Sequence, residues 1–427
     1  MSPIKIIRYT LYALLIFTPL ARGSVQGWAI AITHLITLSA VTLFLLDRCV
    51  KLEWKWVKTA LNKPILALFI LCLVSAVFSI HRRSSLWAMI LLINYLAVFY
   101  LVIFTINNKP RLLNFTYVIV SVGAFLSVFG IFKRFGYNPF PWWNYEDLKY
   151  SVDFLSATYG NHNHLAGYLE MTIPLALGLF FIDFRGGKLL LMIYLSFIMV
   201  TALILSLSRG GWIGFLFGMC FFSYGLVKNY YFKKKRLFLS LLGALLLLST
   251  VILSSTPVVE RAINIVEKEE EAGFYARTVA WKGVIKMIAD KPLLGTGPGT
   301  FSATFPRYQP AGLSRHFTKA HNDYLHFTAE VGVLLIPIII WMLIAFFREG
   351  FYKLRSPSRL IRGVTLGAMS GVTAILFHSL IDFNLHIPAN ALMFAVLSAL
   401  VVAPLPEKGY AGTYKKEQLK NHHSFIV

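Results

Sequence analysis

Three side chains and one turn carry most of the chemistry this sequence could perform. Arg209 stands in Ser208-Arg209-Gly210-Gly211-Trp212, between two apolar runs with almost no loop to dissolve a charge. Two readings explain a guanidinium there. It snorkels to lipid headgroups with Trp212 in the aromatic belt, or its planar fork, beside small glycines, closes on a phosphate. Arg277 stands in a longer polar segment, followed by Trp281 and then by Lys291-Pro292-Leu293-Leu294-Gly295-Thr296-Gly297-Pro298-Gly299. Glycines at alternate positions, Gly297 in the middle, form either a turn whose amides face an anion or simply a rigid link. The pattern is not GxGxxG and Pro298 removes a donor, so a nucleotide loop is excluded. His321 opens Ala320-His321-Asn322-Asp323-Tyr324-Leu325-His326 in front of an apolar run. A neutral imidazole there can take a proton from a sugar hydroxyl, with Asn322 and Tyr324 beside it to orient it. An interfacial histidine without chemistry is the alternative.

A second polar cluster, Tyr159-Gly160-Asn161-His162-Asn163-His164, precedes another apolar run, with Glu170 two turns later. Asn161, His162 and His164 could contact a glycan, with Trp142, Trp143 and Tyr145 stacking on sugar rings, or the amides could cap a helix, Asn163 being the expected cap. Alternate spacing supplies at most two metal ligands, and His321 and His326, five apart, are not HExxH. Cys49, Cys72 and Cys220 add no ligand pair and no disulfide framework. The sequence therefore predicts no metal site and no cofactor. Glu330, one turn into an apolar run, requires a polar cavity or a basic partner.

The elements that must position these residues are set by composition. Of 427 residues, 57% are apolar and 14% charged, and the mean hydropathy is +0.65. A helix crosses the hydrocarbon core in about 20 residues. Twelve apolar runs qualify, at 6–21, 25–46, 64–80, 85–106, 112–132, 165–182, 188–206, 211–227, 237–256, 326–347, 360–380 and 387–404. The first is short and closed by Pro19 and Gly23, yet no convincing cleavage site follows, so it reads as a helix rather than a signal peptide. The fold class is all-α: a polytopic membrane protein of about 12 transmembrane helices. No convincing internal repeat is found.

The net charge of +22 reads as topology rather than as nucleic-acid binding. With Met1 inside, Lys and Arg concentrate in the inner segments, Asp and Glu in the outer ones, and runs such as Lys233–Arg236 anchor to anionic headgroups. Both termini then face the cytoplasm. The chain divides into helices 1–9 over 1–256, with an outer loop near 133–164; a long, partly helical outer loop over 257–325; helices 10–12 over 326–406; and a basic tail over 407–427. Ala276, Val279, Ala280, Val284, Met287 and Ile288 place an amphipathic helix in the long loop, after the acidic run Glu267–Glu271.

These motifs, in this order, resemble the O-antigen ligase and polymerase superfamily, most strongly over about 195–345. The resemblance implies a periplasmic glycosyl transfer in the bacterial inner membrane, from a glycan on undecaprenyl pyrophosphate, without nucleotide sugar, ATP or metal. It further implies that Arg209 and Arg277 meet the pyrophosphate and that His321 serves the acceptor, making these three the catalytic candidates. Asn322, Tyr324, Trp281, Gly297, Asn161, His162 and His164 are the candidates for substrate contact. The favoured activity is O-antigen ligase, with lipid A-core as acceptor and inversion at the anomeric carbon. The alternative is a polymerase extending a lipid-linked glycan; a protein O-oligosaccharyltransferase would be expected to carry a longer C-terminal part. A polytopic transporter remains a different-class reading, kept open by Asp382 and His378 if those groups lie mid-bilayer.

The charge pattern predicts that cysteine at Ser302 is labelled from outside intact spheroplasts and that cysteine at Thr413 is not. External labelling at position 413 would invert the topology.

Overall fold

The computed structural model describes residues 2–52, 57–138, 140, 154–182, 186–229, 231, 232, 235, 239, 240, 243, 257–313 and 317–405, with backbone alone over 257–272. Trp142, Trp143, Tyr145, the basic tail and nearly all of the ninth run lie outside the described residues. Among those described the fold is all-helical: α1 (Pro3–Leu20), α2 (Gly27–Lys51), α3 (Asn62–Val77), α4 (Arg82–Thr105), α5 (Lys109–Arg134), α6 (His162–Leu179), α7 (Gly187–Leu205), α8 (Arg209–Lys228), α9 (Pro257–Asp290), α10 (Asp323–Val331), α11 (Leu335–Lys353), α12 (Arg359–His378) and α13 (Pro388–Val402). Eight are long and apolar enough to cross a membrane, and α3 and α13 are shorter apolar helices. The outer helices leave large apolar side chains uncovered, such as Leu35 and Leu38 on α2 and Ile344 on α11, as contact with acyl chains requires. The chain is a multi-pass membrane protein.

One expected run is divided. Residues 326–347 form two helices because Gly332, at φ 88°, turns the chain between them. The turn lets Val333 N donate to Pro292 O at 2.7 Å, and a Cβ on Gly332 would strike Leu293 O. Side-chain packing requires the break, and hydropathy alone does not reveal it.

Lipid tails are as apolar as leucine, so helices inside a bilayer associate through close packing, which small residues permit. Gly363, Gly367 and Gly371 recur every fourth residue on α12 and so form one stripe. A Cβ on Gly367 would lie 2.5 Å from Pro174 O and one on Gly371 2.5 Å from Met171 O, while Gly363 and Gly178 meet backbone to backbone. All of these partners belong to α6. On its other side α12 receives Gly214 and Gly218 of α8, whose added Cβ atoms would press on Ala374 and Ser370. Helix α12 is consequently buried without interruption from Ile361 to Ile375, and α6 from His164 to Leu179.

At one end of this α6–α12–α8 layer the connections lock together. Thr158 Oγ1 donates to Pro19 O (2.8 Å), Tyr159 Oη to Asn390 Oδ1 (3.0 Å), and Asn390 Nδ2 to His164 O (2.9 Å), which joins the ends of α1, α6 and α13. Ser75 Oγ donates to Leu294 O (2.6 Å) and Ser85 Oγ to Pro298 O (2.8 Å), holding the glycine turn on α3 and α4.

Gly367→Ala should lower the thermal unfolding midpoint in detergent by the equivalent of about 1–3 kcal/mol, the usual cost of overpacking. Gly27→Ala, where nothing lies within 4 Å of the added Cβ, should leave it unchanged. Equal effects at both positions would show that the stripe does not set the packing.

Candidate functional site

Of the three residues after His321, Asn322 and Asp323 bond to the segment between α12 and α13 and Tyr324 bonds to the last turn of α12. Asn322 caps α10, accepting from Leu325 N (3.0 Å) while its Nδ2 donates to Leu380 O (2.8 Å). Asp323 N donates to Ser379 O (2.9 Å), and its carboxylate accepts from Ser379 Oγ (2.8 Å), Leu385 N (3.0 Å) and His386 Nδ1 (2.6 Å). Tyr324 Oη donates to Leu376 O at 2.9 Å. On the other side of the histidine, Trp281 Nε1 donates to Ala320 O at 2.8 Å. His321 is thereby held at φ 50°, with its Nδ1 3.5 Å from Asp382 Oδ1 and its ring edge on Phe383, centroids 4.7 Å apart. Asn322, Tyr324 and Trp281 thus make contacts within the chain that fix where His321 stands.

Arg277 arrives from α9 and donates through Nη1 to Ile381 O at 2.9 Å. Arg209, exposed, is the first residue of α8, behind the capping Ser208, which accepts from Gly211 N at 3.1 Å. A Cβ on the next residue, Gly210, would lie 3.2 Å from Ile381 Cδ1. The two arginine-bearing segments therefore approach Ile381 from different sides, and Asp382 and His321 follow directly. Burial pushes the Asp382 carboxyl up, but His321, Arg277 and His378 outweigh it and hold the group below the ordinary carboxylate range.

The start of α6 closes the cluster. Asn161, not Asn163, is the cap, accepting from Asn163 N at 2.8 Å. His162 Nδ1 meets Ser206 O at 2.8 Å and its ring stacks on Phe154. His164 is buried against the same Phe383 that touches His321, at 5.0 Å between centroids. Two turns on, Glu170 Oε1 meets His378 Nδ1 at 3.1 Å, beneath Gly210 and Gly214, where larger residues would collide with this pair. His378 thus lies beside Gly210, next to Arg209, and Asp382 lies in the field of Arg277.

Gly297 sits elsewhere. Its N donates to Glu330 O at 2.8 Å, while Gly299 N (2.7 Å) and Phe301 N (2.9 Å) donate to the two oxygens of the Glu330 carboxylate. The anion these amides meet is the chain's own Glu330. Its partner is His326, whose Nε2 lies 3.2 Å from Oε1. Burial pushes Glu330 up, yet His326, Lys319 and the Gly299 amide more than compensate and hold it below its usual value.

Spacing points to Arg277, His321 and the α6 cluster, whereas Asp382 and His378 read as pointers to a transporter, Asp323 stands in the His321 motif without a role of its own, and His386 carries no signal. The His326–Glu330 pair, four apart on one helix face, was a legible signal. Backbone strain marks the same end: Arg22, Ser24, Ala157, Leu207 and His321 all adopt positive φ without being glycine.

A multi-pass helical membrane protein with a basic and imidazole-bearing site at one end is the class defined here. Residues 194–340 match the family described as O-Antigen ligase. The match includes Arg209, Arg277 and His321 and stops before Asp382. No curated protein matches the chain.

Because Asp382 is held below its ordinary range, its ionisation contributes stability that is complete above about pH 4 and lost as pH falls below that. The difference in unfolding midpoint between the wild type and Asp382→Asn should close as pH falls below about 4. A difference that widens below about pH 4 would contradict the charge arrangement.

Proposed function

We propose that this protein is an O-antigen ligase, moving a polysaccharide from undecaprenyl pyrophosphate to lipid A-core at the periplasmic face of the bacterial inner membrane. The observation that carries the reading is the convergence of Arg277, His321 and the Arg209 segment on Ile381–Asp382. The bond broken joins an anomeric carbon to pyrophosphate, so negative charge grows on the leaving oxygens as a hydroxyl attacks from the opposite face. Arg209 and Arg277 stabilise that charge, each well-placed donor being worth about 3–4 kcal/mol. His321 carries its Nδ1 proton towards Asp382, which leaves Nε2 free to accept the hydroxyl proton, a contribution of roughly 10²–10⁴-fold. Attack opposite the leaving group inverts the anomeric carbon. Asn161, His162 and His164, around Phe154 and Phe383, border the cluster and would contact the glycan. Neither a nucleotide nor ATP enters this scheme, no metal takes part in the transfer itself, and both termini lie in the cytoplasm.

Purified His321→Ala should bind donor lipid yet lose about 10²-fold or more of its turnover. Arg277→Lys and Arg209→Lys should each remain at least about tenfold below wild type, because a point charge does not reproduce the guanidinium fork. Asp382→Asn should lower turnover at least about tenfold by releasing the imidazole. Near-normal turnover by His321→Ala would remove it as the base.

Deletion of the gene, read as a lipopolysaccharide ladder on a gel, tests the acceptor. Bare lipid A-core with long chains retained on the carrier is the ligase outcome. A single-repeat band would make the protein the polymerase and leave the residue roles standing, and an unchanged ladder without a paralogue would remove the lipopolysaccharide assignment.

A further inference from the structure

We propose that His326, Glu330 and His386 hold one divalent metal ion of the zinc type, tying α10 to the segment that joins α12 and α13. One ligand atom from each residue comes together within 4.8 Å of the others. His326 and Glu330 project from one face of α10, and their Nε2 to Oε1 separation of 3.2 Å matches the edge of about 3.3 Å expected between ligands at zinc bond lengths in a tetrahedron. Two imidazoles and a carboxylate are a ligand set suited to zinc.

The groups around the ligands are those a metal needs. His386 Nδ1 lies 2.6 Å from Asp323 Oδ1, and its Nε2 is a buried nitrogen with no partner among the described residues. A ligating histidine normally donates its second nitrogen to a carboxylate in this way. Both Glu330 oxygens are aimed by amides, those of Gly299 and Phe301. The two imidazoles lie against each other with their planes tilted by 45°, 4.0 Å between centroids, and each is stacked on an outer ring, Phe301 on His326 and Phe327 on His386.

Two costs accompany occupancy. His326 Nδ1 accepts from Ala320 N at 3.3 Å, so without metal its proton sits on Nε2, and binding must expel a proton and give up that long contact. Lys319 lies in the field of Glu330 and Asp323 and would repel the ion. Affinity should accordingly fall in acid. His326 and Glu330 are fully buried and the His386 side chain is 10% exposed, so the ion would be a staple between chain segments and would not meet substrate.

The test uses full-length protein purified in detergent without a histidine tag, incubated with zinc ion, desalted and assayed for metal. About one zinc per chain is expected, and His386→Ala should retain less than a tenth as much. Cobalt ion in its place should give visible d–d absorption, and His386→Cys should keep the cobalt and add a thiolate charge-transfer band. Asp323→Asn should weaken binding about 10–100-fold. The proposal is overturned if wild type retains no more zinc than His386→Ala with both monodisperse, or if cobalt-loaded His386→Cys lacks the charge-transfer band. None of these readouts depends on glycosyl transfer, so the metal and the ligase readings fail separately.

Discussion

Everything at the site depends on how closely α12 can approach its two neighbours. Gly363, Gly367 and Gly371 bring its backbone against that of α6, and Gly214 and Gly218 bring α8 against its other side. With any larger residue the helices would stand further apart, and the Glu170–His378 contact across the α6–α12 crossing would open. The position of His378 in turn sets the start of the turn that carries Ile381, Asp382 and His386. A packing constraint in the apolar interior is thus converted into the placement of charge at the rim.

The charged groups at that end hold one another. Asp382 faces His321 and the field of Arg277, Asp323 satisfies Ser379, Leu385 and His386, and Glu330 fills the amides of the glycine turn. Burying an unpaired carboxylate is expensive, and Asp323 and Glu330 are each met by several donors. Two of these carboxylates serve position rather than chemistry. Asp323 clamps the His321 loop onto the α12–α13 turn, and Glu330 clamps the glycine turn onto α10. The amides of that turn are taken by the protein itself.

Much of this was legible in the residues. Hydropathy located the helices because length and apolarity are what a bilayer demands, and Arg277 and His321 stood out because polar groups beside apolar runs need a reason. What was not legible depends on distance in the chain. Asp382 lies about 60 residues from His321 and reads in the sequence as a pointer to a transporter, and the contacts of Asn322, Asp323 and Tyr324 with residues 376–380 bring the two together. The break at Gly332 was hidden because hydropathy does not register a φ of 88°. The glycine stripe of α12 passed unnoticed because a search for long repeats overlooks a spacing of four. The glycine turn was seen, but an anion supplied by the chain was not anticipated.

The intercalation of α12 between α6 and α8 also bears on how the protein is made. Helices α6 and α8 enter the bilayer long before α12 has been synthesised, and α7 connects them. Until then their glycine-bearing faces have no partner, and Glu170 sits in hydrocarbon without His378. The two helices must therefore stand apart, or be screened by lipid or an insertion factor, until a helix from near the end of the chain slides between them. A ribosome that stalls before Asp382 would leave arginines and histidine in the membrane with nothing to gather them. Activity would then arise in a single late step of biogenesis.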